Sequence, residues 1–135
     1  MRSRWIAMCF AATMTGCAVF GAKSILLTSP TLPSARGRAW FGVTPNNNTS
    51  ILLRVKHLSV PDDLAPPASS YVVWVKGIKD AAPQNIGTLK VDAGLSASLL
   101  AETPLQNFML SITAEPSGQA QRPVGQPLLW TNYSR

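Results

Sequence analysis

Tyr71-Val72-Val73-Trp74-Val75-Lys76 is the stretch on which the fold turns. Five of its six residues are β-branched or aromatic, and both faces of a two-residue repeat are apolar near its middle. A strand of that kind needs cover on both sides, so it belongs at the centre of a sheet. Tyr71 and Trp74 fall on opposite faces. One aromatic therefore packs in the core, and the other is half-buried or covered by a loop. The stretch is bounded by a loop with three prolines, Pro61 to Ser70, and by the connection Gly77 to Asn85.

Working outward, the chain reads as β in both directions. Ala39 to Val43 is a candidate strand, followed by the turn Thr44-Pro45-Asn46-Asn47-Asn48, where asparagine tolerates left-handed backbone. Ser50 to Leu58 alternates, with Ile51, Leu53 and Val55 on one face and Arg54 and Lys56 on the other. Ile86 to Val91 and Ser96 to Ala101 flank the turn Asp92-Ala93-Gly94. Phe108 to Glu115 places Phe108, Leu110, Ile112 and Ala114 on one side, and Val124 to Trp130 closes the chain. No segment carries a capped 3.6-residue apolar period. About seven short strands at roughly 8–12-residue spacing predict an all-β fold, a single immunoglobulin-like antiparallel β-sandwich.

The N-terminus differs in kind. Arg2 and Arg4 precede an apolar run from Trp5 to Thr15, within the roughly 7–15 residues of a secretory signal core. Met14-Thr15-Gly16-Cys17 then resembles the lipobox of bacterial lipoproteins, which implies a diacylated Cys17 as the first mature residue. The apolar run continues to Ala22, so an uncleaved membrane helix from Trp5 to Ala22 stands as the other reading. Both of these readings hold the chain at a membrane with its bulk outside, and a buried N-terminal helix in a soluble protein is the third. The expected organisation is a signal over residues 1–16, a lipid anchor and proline-containing tether over 17–38, and the sandwich over 39–135. Ile25-Leu26-Leu27 is the exception within the tether, a candidate edge strand. Cys9 and Cys17 are the two cysteines. Once Cys9 leaves and Cys17 is acylated, no disulfide remains to staple the fold.

The formal net charge of the 135-residue chain is +6, with its bases spread along the sequence. Without clustered bases and stacking aromatics on one face, nucleic acid is not an expected partner. The positive balance instead suits proximity to anionic lipid or polymer.

A set of motifs carries a second resemblance. In order, Tyr71 with Trp74, Gly87 with Leu89, Phe108-Met109-Leu110, Thr113-Ala114-Glu115-Pro116, and Pro123 with Gly125 are similar to the C-terminal, extracytoplasmic domain of the anti-sigma-K factor family. The resemblance implies a regulatory outer module. Members of that family also carry a cytoplasmic sigma-binding domain and a transmembrane helix. For this chain the expectation is the outer module without the sigma-binding part. At most of these positions the physics is structural. Glu115 ends a strand before a proline, where a carboxylate can accept N–H groups from the following turn. Pro123 and Gly125 shape the entry to the last strand.

The residues offer little for catalysis. His57, the single histidine, follows Ile51, Leu53 and Val55 by parity and is expected inward and partly buried. Asp62-Asp63 reads as a solvated loop, and there is no Gly-x-Ser-x-Gly elbow or glycine-rich phosphate loop. No cofactor or metal site is expected, and the chain is not expected to be an enzyme. Two binding readings remain. An edge strand could pair with an envelope protein, or Trp40, Phe41, Trp130 and Tyr133 could stack on cell-surface glycans if they are not spent closing the core.

Overall fold

The structure, a computed structural model, describes residues 23–29, 31–64 and 67–135. Cys17 and the apolar run from Trp5 to Ala22 lie outside the described residues. Eight strands follow in order: β1 (Lys23–Leu26), β2 (Arg36–Val43), β3 (Thr49–Lys56), β4 (Ser70–Gly77), β5 (Gln84–Leu89), β6 (Ala97–Thr103), β7 (Asn107–Glu115) and β8 (Leu129–Ser134). They form two antiparallel four-stranded sheets, ordered β1-β2-β3-β6 and β5-β4-β7-β8. The chain crosses between sheets after β3, β5 and β6, as in an immunoglobulin-like sandwich. Strand β4 lies between β5 and β7, the central place that its two apolar faces demand.

The core is the set of inward positions from both sheets. Ala39, Phe41, Ile51, Leu53 and Val55 meet Tyr71, Val73, Val75, Phe108, Leu110, Ile112 and Leu129. Near one end Phe41 stacks on Tyr133 at 4.1 Å between ring centroids, and Phe108 closes on both rings at 6.0 and 5.3 Å. Alternation fixes this register, because a one-residue slip would turn the apolar set to solvent.

The folded unit reaches further upstream than residue 39. Composition predicts a tether up to residue 38, yet residues 23–38 contain β1, the buried Leu27 and Ala35, and the start of β2. The eighth strand is therefore β1, in the Ile25-Leu26 stretch. After pairing with β2 in the first sheet, this segment switches sides. Thr28 and Trp130 exchange backbone hydrogen bonds of 2.9 and 3.0 Å, tying the segment to β8 of the second sheet. The two prolines and Gly37 in that stretch hide its pairing from composition.

Two further expectations need correction. His57 is exposed, not inward. Its backbone turns left-handed (φ 57°) directly after β3, so the two-residue parity stops at Lys56 and Leu58 enters the core instead. The last strand starts at Leu129, not Val124. Pro123 and Pro127 lack the N–H that a ladder needs, and the N–H groups of Val124 and Gly125 are committed elsewhere. The turn at Thr44 to Asn48 forms as its asparagines predict, with Asn47 at φ 62°.

Candidate functional site

Outward-facing positions of the second sheet carry an unusual amount of buried polarity. Val72 and Trp74 on β4 point away from the core, yet both have zero solvent exposure. They face Thr113 and Ser111 across the β4–β7 ladder, and those two residues are also buried. A buried indole needs a partner for its N–H. Trp74 Nε1 donates to Thr113 Oγ1 at 2.8 Å, and the Thr113 hydroxyl donates onward to Glu115 Oε1 at 2.6 Å. A hydroxyl both donates and accepts, so one threonine links the indole to the carboxylate.

Glu115 is fully buried at the end of β7. Its carboxylate takes the backbone N–H of Val124 at 3.0 Å to each oxygen, and that of Gly125 at 3.2 Å. This is the turn-capping role its position implied, although the donors come from nine and ten residues further on. Charge-assisted bonds of this kind are the strong ones. They draw residues 123–125 down onto the sheet. Gly125 passes so close that a Cβ there would sit 2.6 Å from the carbonyl oxygen of Ala114.

The same covering segment, residues 116–128, is held at its other end by Asn85. Asn85 Nδ2 donates to the carbonyls of Gly118 and Ala120 at 3.0 and 2.9 Å, while its Oδ1 accepts the Gly87 N–H at 3.0 Å. Asn85 holds this place because β5 is irregular there. Trp74 pairs with Asn85 and Val73 with Gly87, leaving Ile86 as the extra residue of a bulge. Gly87 takes φ +148°, and a Cβ would meet Leu99 of β6 at 2.9 Å. Glycine at this position thus serves both the bulge and the approach of the two sheets.

Of the remaining motif residues, Leu89 and Phe108 are core residues, and Pro116 and Pro123 are exposed, the first at the start of the covering segment and the second within it. Tyr71 is the core aromatic that the strand parity required, and its hydroxyl donates to the Ser59 carbonyl at 2.6 Å, fastening the loop before β4. Burial, and secondarily the Asp63 carboxylate, push its pKa from 10.0 up to about 12. The fold therefore favours the neutral phenol. This contribution is whole below pH 10 and is lost as pH rises from about 10 to about 12. Urea unfolding at pH 9 and pH 12 should show wild type losing about 2–3 kcal/mol relative to Tyr71→Phe. An unchanged difference between the two proteins would contradict that environment for the phenol.

The network Trp74–Thr113–Glu115–Val124/Gly125 thus joins most of the ordered motifs into one device. The sequence matches the family described as Anti-sigma-K factor rskA, C-terminal, over residues 11–128. This chain belongs to that family. The matched span contains every member of the network and stops just before β8. No curated protein matches the chain. In this chain the network is the lock that holds residues 123–125 against the second sheet.

Other candidate groups are not brought together. Phe41 and Tyr133 are spent in the core, while Trp40 and Trp130 are half-buried on opposite outer faces of the sandwich. The four aromatics therefore offer no common platform for a glycan. Among the described residues, no group of three or more His, Cys, Asp or Glu side chains is placed to hold a metal ion. Among the same residues, no helix is long and apolar enough to cross a membrane.

Proposed function

We propose that this chain is a membrane-tethered regulatory module of the anti-sigma type, whose sandwich stands on the extracytoplasmic side and acts through a protein partner. The single observation that carries the reading is the family match over residues 11–128, which begins inside the apolar run and extends through the sandwich to the end of the covering segment. The match takes in most of the apolar run together with the β-domain, which supports reading the two as one unit. The N-terminal charges and the Gly16-Cys17 step support a lipid on Cys17 as the tether. With Val72 and Trp74 on the outer face of the second sheet buried, exposed strand edges are the means of recruiting a partner. They are β1 and β6 in the first sheet and β5 in the second, the opposite edge strand β8 being bridged by Thr28.

Intact mass of the membrane-extracted protein, wild type beside Cys17→Ala, tests the tether. The expected result is a mature chain that starts at Cys17 and is heavier by a diacylglyceryl group, with processing lost in the variant. An uncleaved chain, identical in the variant, would assign the tether to the apolar run itself. An unmodified chain recovered in the soluble fraction would overturn the reading.

A further inference from the structure

The bases look dispersed in the sequence, but the β2–β3 register gathers four of them. Arg36 pairs with Lys56 and Arg38 with Arg54. All four are exposed on the outer face of the first sheet. One step further along the same face, opposite Leu52, lies Trp40, with the Arg54 guanidinium 5.7 Å and that of Arg38 6.0 Å from its ring centroid. Leu26, 64 % exposed on the neighbouring β1, lines the same depression of about 380 Å³ with these five residues. Leu100, 66 % exposed, continues the apolar surface across β3 onto β6. Glu102, at the far end of this face opposite Ser50, accepts a hydrogen bond from Asn48. The surface is thus basic along β2 and β3, with an amphipathic indole beside the arginines and exposed leucines on the flanking strands β1 and β6. This combination suits the boundary between headgroups and acyl chains.

We infer that this face docks on an anionic phospholipid bilayer. The inference rests on the tethered reading above and deepens it. The position of the anchor selects the occupant. The apolar run ends at Ala22, and β1 begins at the next residue as the strand bordering the basic surface. With Cys17 lipidated, five residues, 18 to 22, separate it from β1. They span at most about 20 Å, since an extended chain covers roughly 3.3–3.6 Å per residue. A tether that short keeps the first sheet at the membrane surface at high effective concentration, and leaves the opposite sheet with its covering segment toward the aqueous side. Docking of this kind would orient the module and set which strand edges a partner can reach.

The test uses the full chain carrying Trp5→Phe, bound to vesicles of phosphatidylcholine alone or mixed with phosphatidylglycerol, each with and without brominated acyl chains. The Trp40 contribution is the difference between this chain and the same chain with Trp40→Phe. Trp130, on the other outer face, serves as the internal reference. The expected result is strong quenching of Trp40 in anionic vesicles only, relieved at about 0.5 M salt, where screening is short-ranged. Arg38→Ser with Arg54→Ser should lower the docked-to-undocked ratio about 30-fold, on the scale of about 1 kcal/mol per basic residue at an anionic surface. Lys79→Ser with Arg122→Ser removes equal charge from exposed sites off the face and should leave quenching unchanged. Equal quenching in both vesicle types, or equal loss in both double variants, would overturn the inference. So would displacement of Trp40 from vesicles by soluble polyglutamate at equal charge, which would make a polymer the occupant. Flotation with phosphatidylcholine vesicles alone reports the tether. Its failure would count against the tethered reading, while quenching in anionic vesicles would still decide the face.

Discussion

Trp74→Ala is expected to destabilise the domain by about 3–5 kcal/mol, the range for emptying a buried aromatic site. That corresponds to a fall in Tm of roughly 10–20 °C for a domain of this size. Trp74 does not belong to the cluster between the sheets, so the loss has an unusual origin. Its ring fills the space between the outer face of the second sheet and the segment that covers it, with zero exposure. Removing it leaves a cavity there and strips the Thr113 hydroxyl of its donor. Trp74→Phe separates the two effects, because it keeps most of the volume and loses the N–H. It should cost about 1–2 kcal/mol, near the value of one buried hydrogen bond. Thermal unfolding of the full chain in detergent measures both. A Trp74→Ala variant with unchanged Tm would show that the covering segment does not pack on the indole.

Glu115→Ala should cost about 3 kcal/mol, with its largest effect on residues 116–128. The substitution removes an acceptor shared by two backbone N–H groups and the Thr113 hydroxyl. Donors left unpaired in a buried site cost about 1–3 kcal/mol each, less where they can turn to water. Val124 has that escape, since its side chain is 79 % exposed. The segment should therefore lift from the sheet while the two sheets stay joined. Limited proteolysis with a protease of broad specificity offers a direct reading, with cleavage within residues 116–128 becoming the preferred cut in Glu115→Ala and staying slow in wild type. Glu115→Gln keeps the shape and one acceptor oxygen and should fall in between, at about 1 kcal/mol. Equal resistance of residues 116–128 in all three proteins would contradict the role of the carboxylate.

Much of the fold is legible in the sequence because alternation survives wherever a strand has one wet face. Ile51, Leu53 and Val55, and Phe108, Leu110 and Ile112, face the core as their parity requires. The central place of β4 follows from its two apolar faces, and so does the covering of one aromatic by a loop. Sequence reasoning fails where local backbone breaks parity. His57 leaves the strand through a left-handed residue, and β5 contains an extra residue at Ile86. Asn85 carries no signal of its role, because its grip on Gly118 and Ala120 depends on that bulge and on a loop more than thirty residues away.

The candidate site is half legible. Glu115 before a proline announces a capped turn, but nothing local identifies Val124 and Gly125 as the donors. Trp74 announces a buried indole, but Thr113 becomes its partner only through the β4–β7 register, which sets it against the neighbouring Val72. The basic face is hidden for the same reason. Arg36, Arg38, Arg54 and Lys56 are scattered over about twenty residues of sequence and converge only when β2 pairs with β3.

Amide hydrogen exchange at Val124 and Gly125, in the full chain and in Glu115→Ala, tests the lock most directly. The expected result is protection of both amides in wild type close to that of β7, although they lie in a strandless segment, and its loss in Glu115→Ala while β7 stays protected. Exchange of Val124 and Gly125 at the rate of an open loop in wild type would contradict the lock.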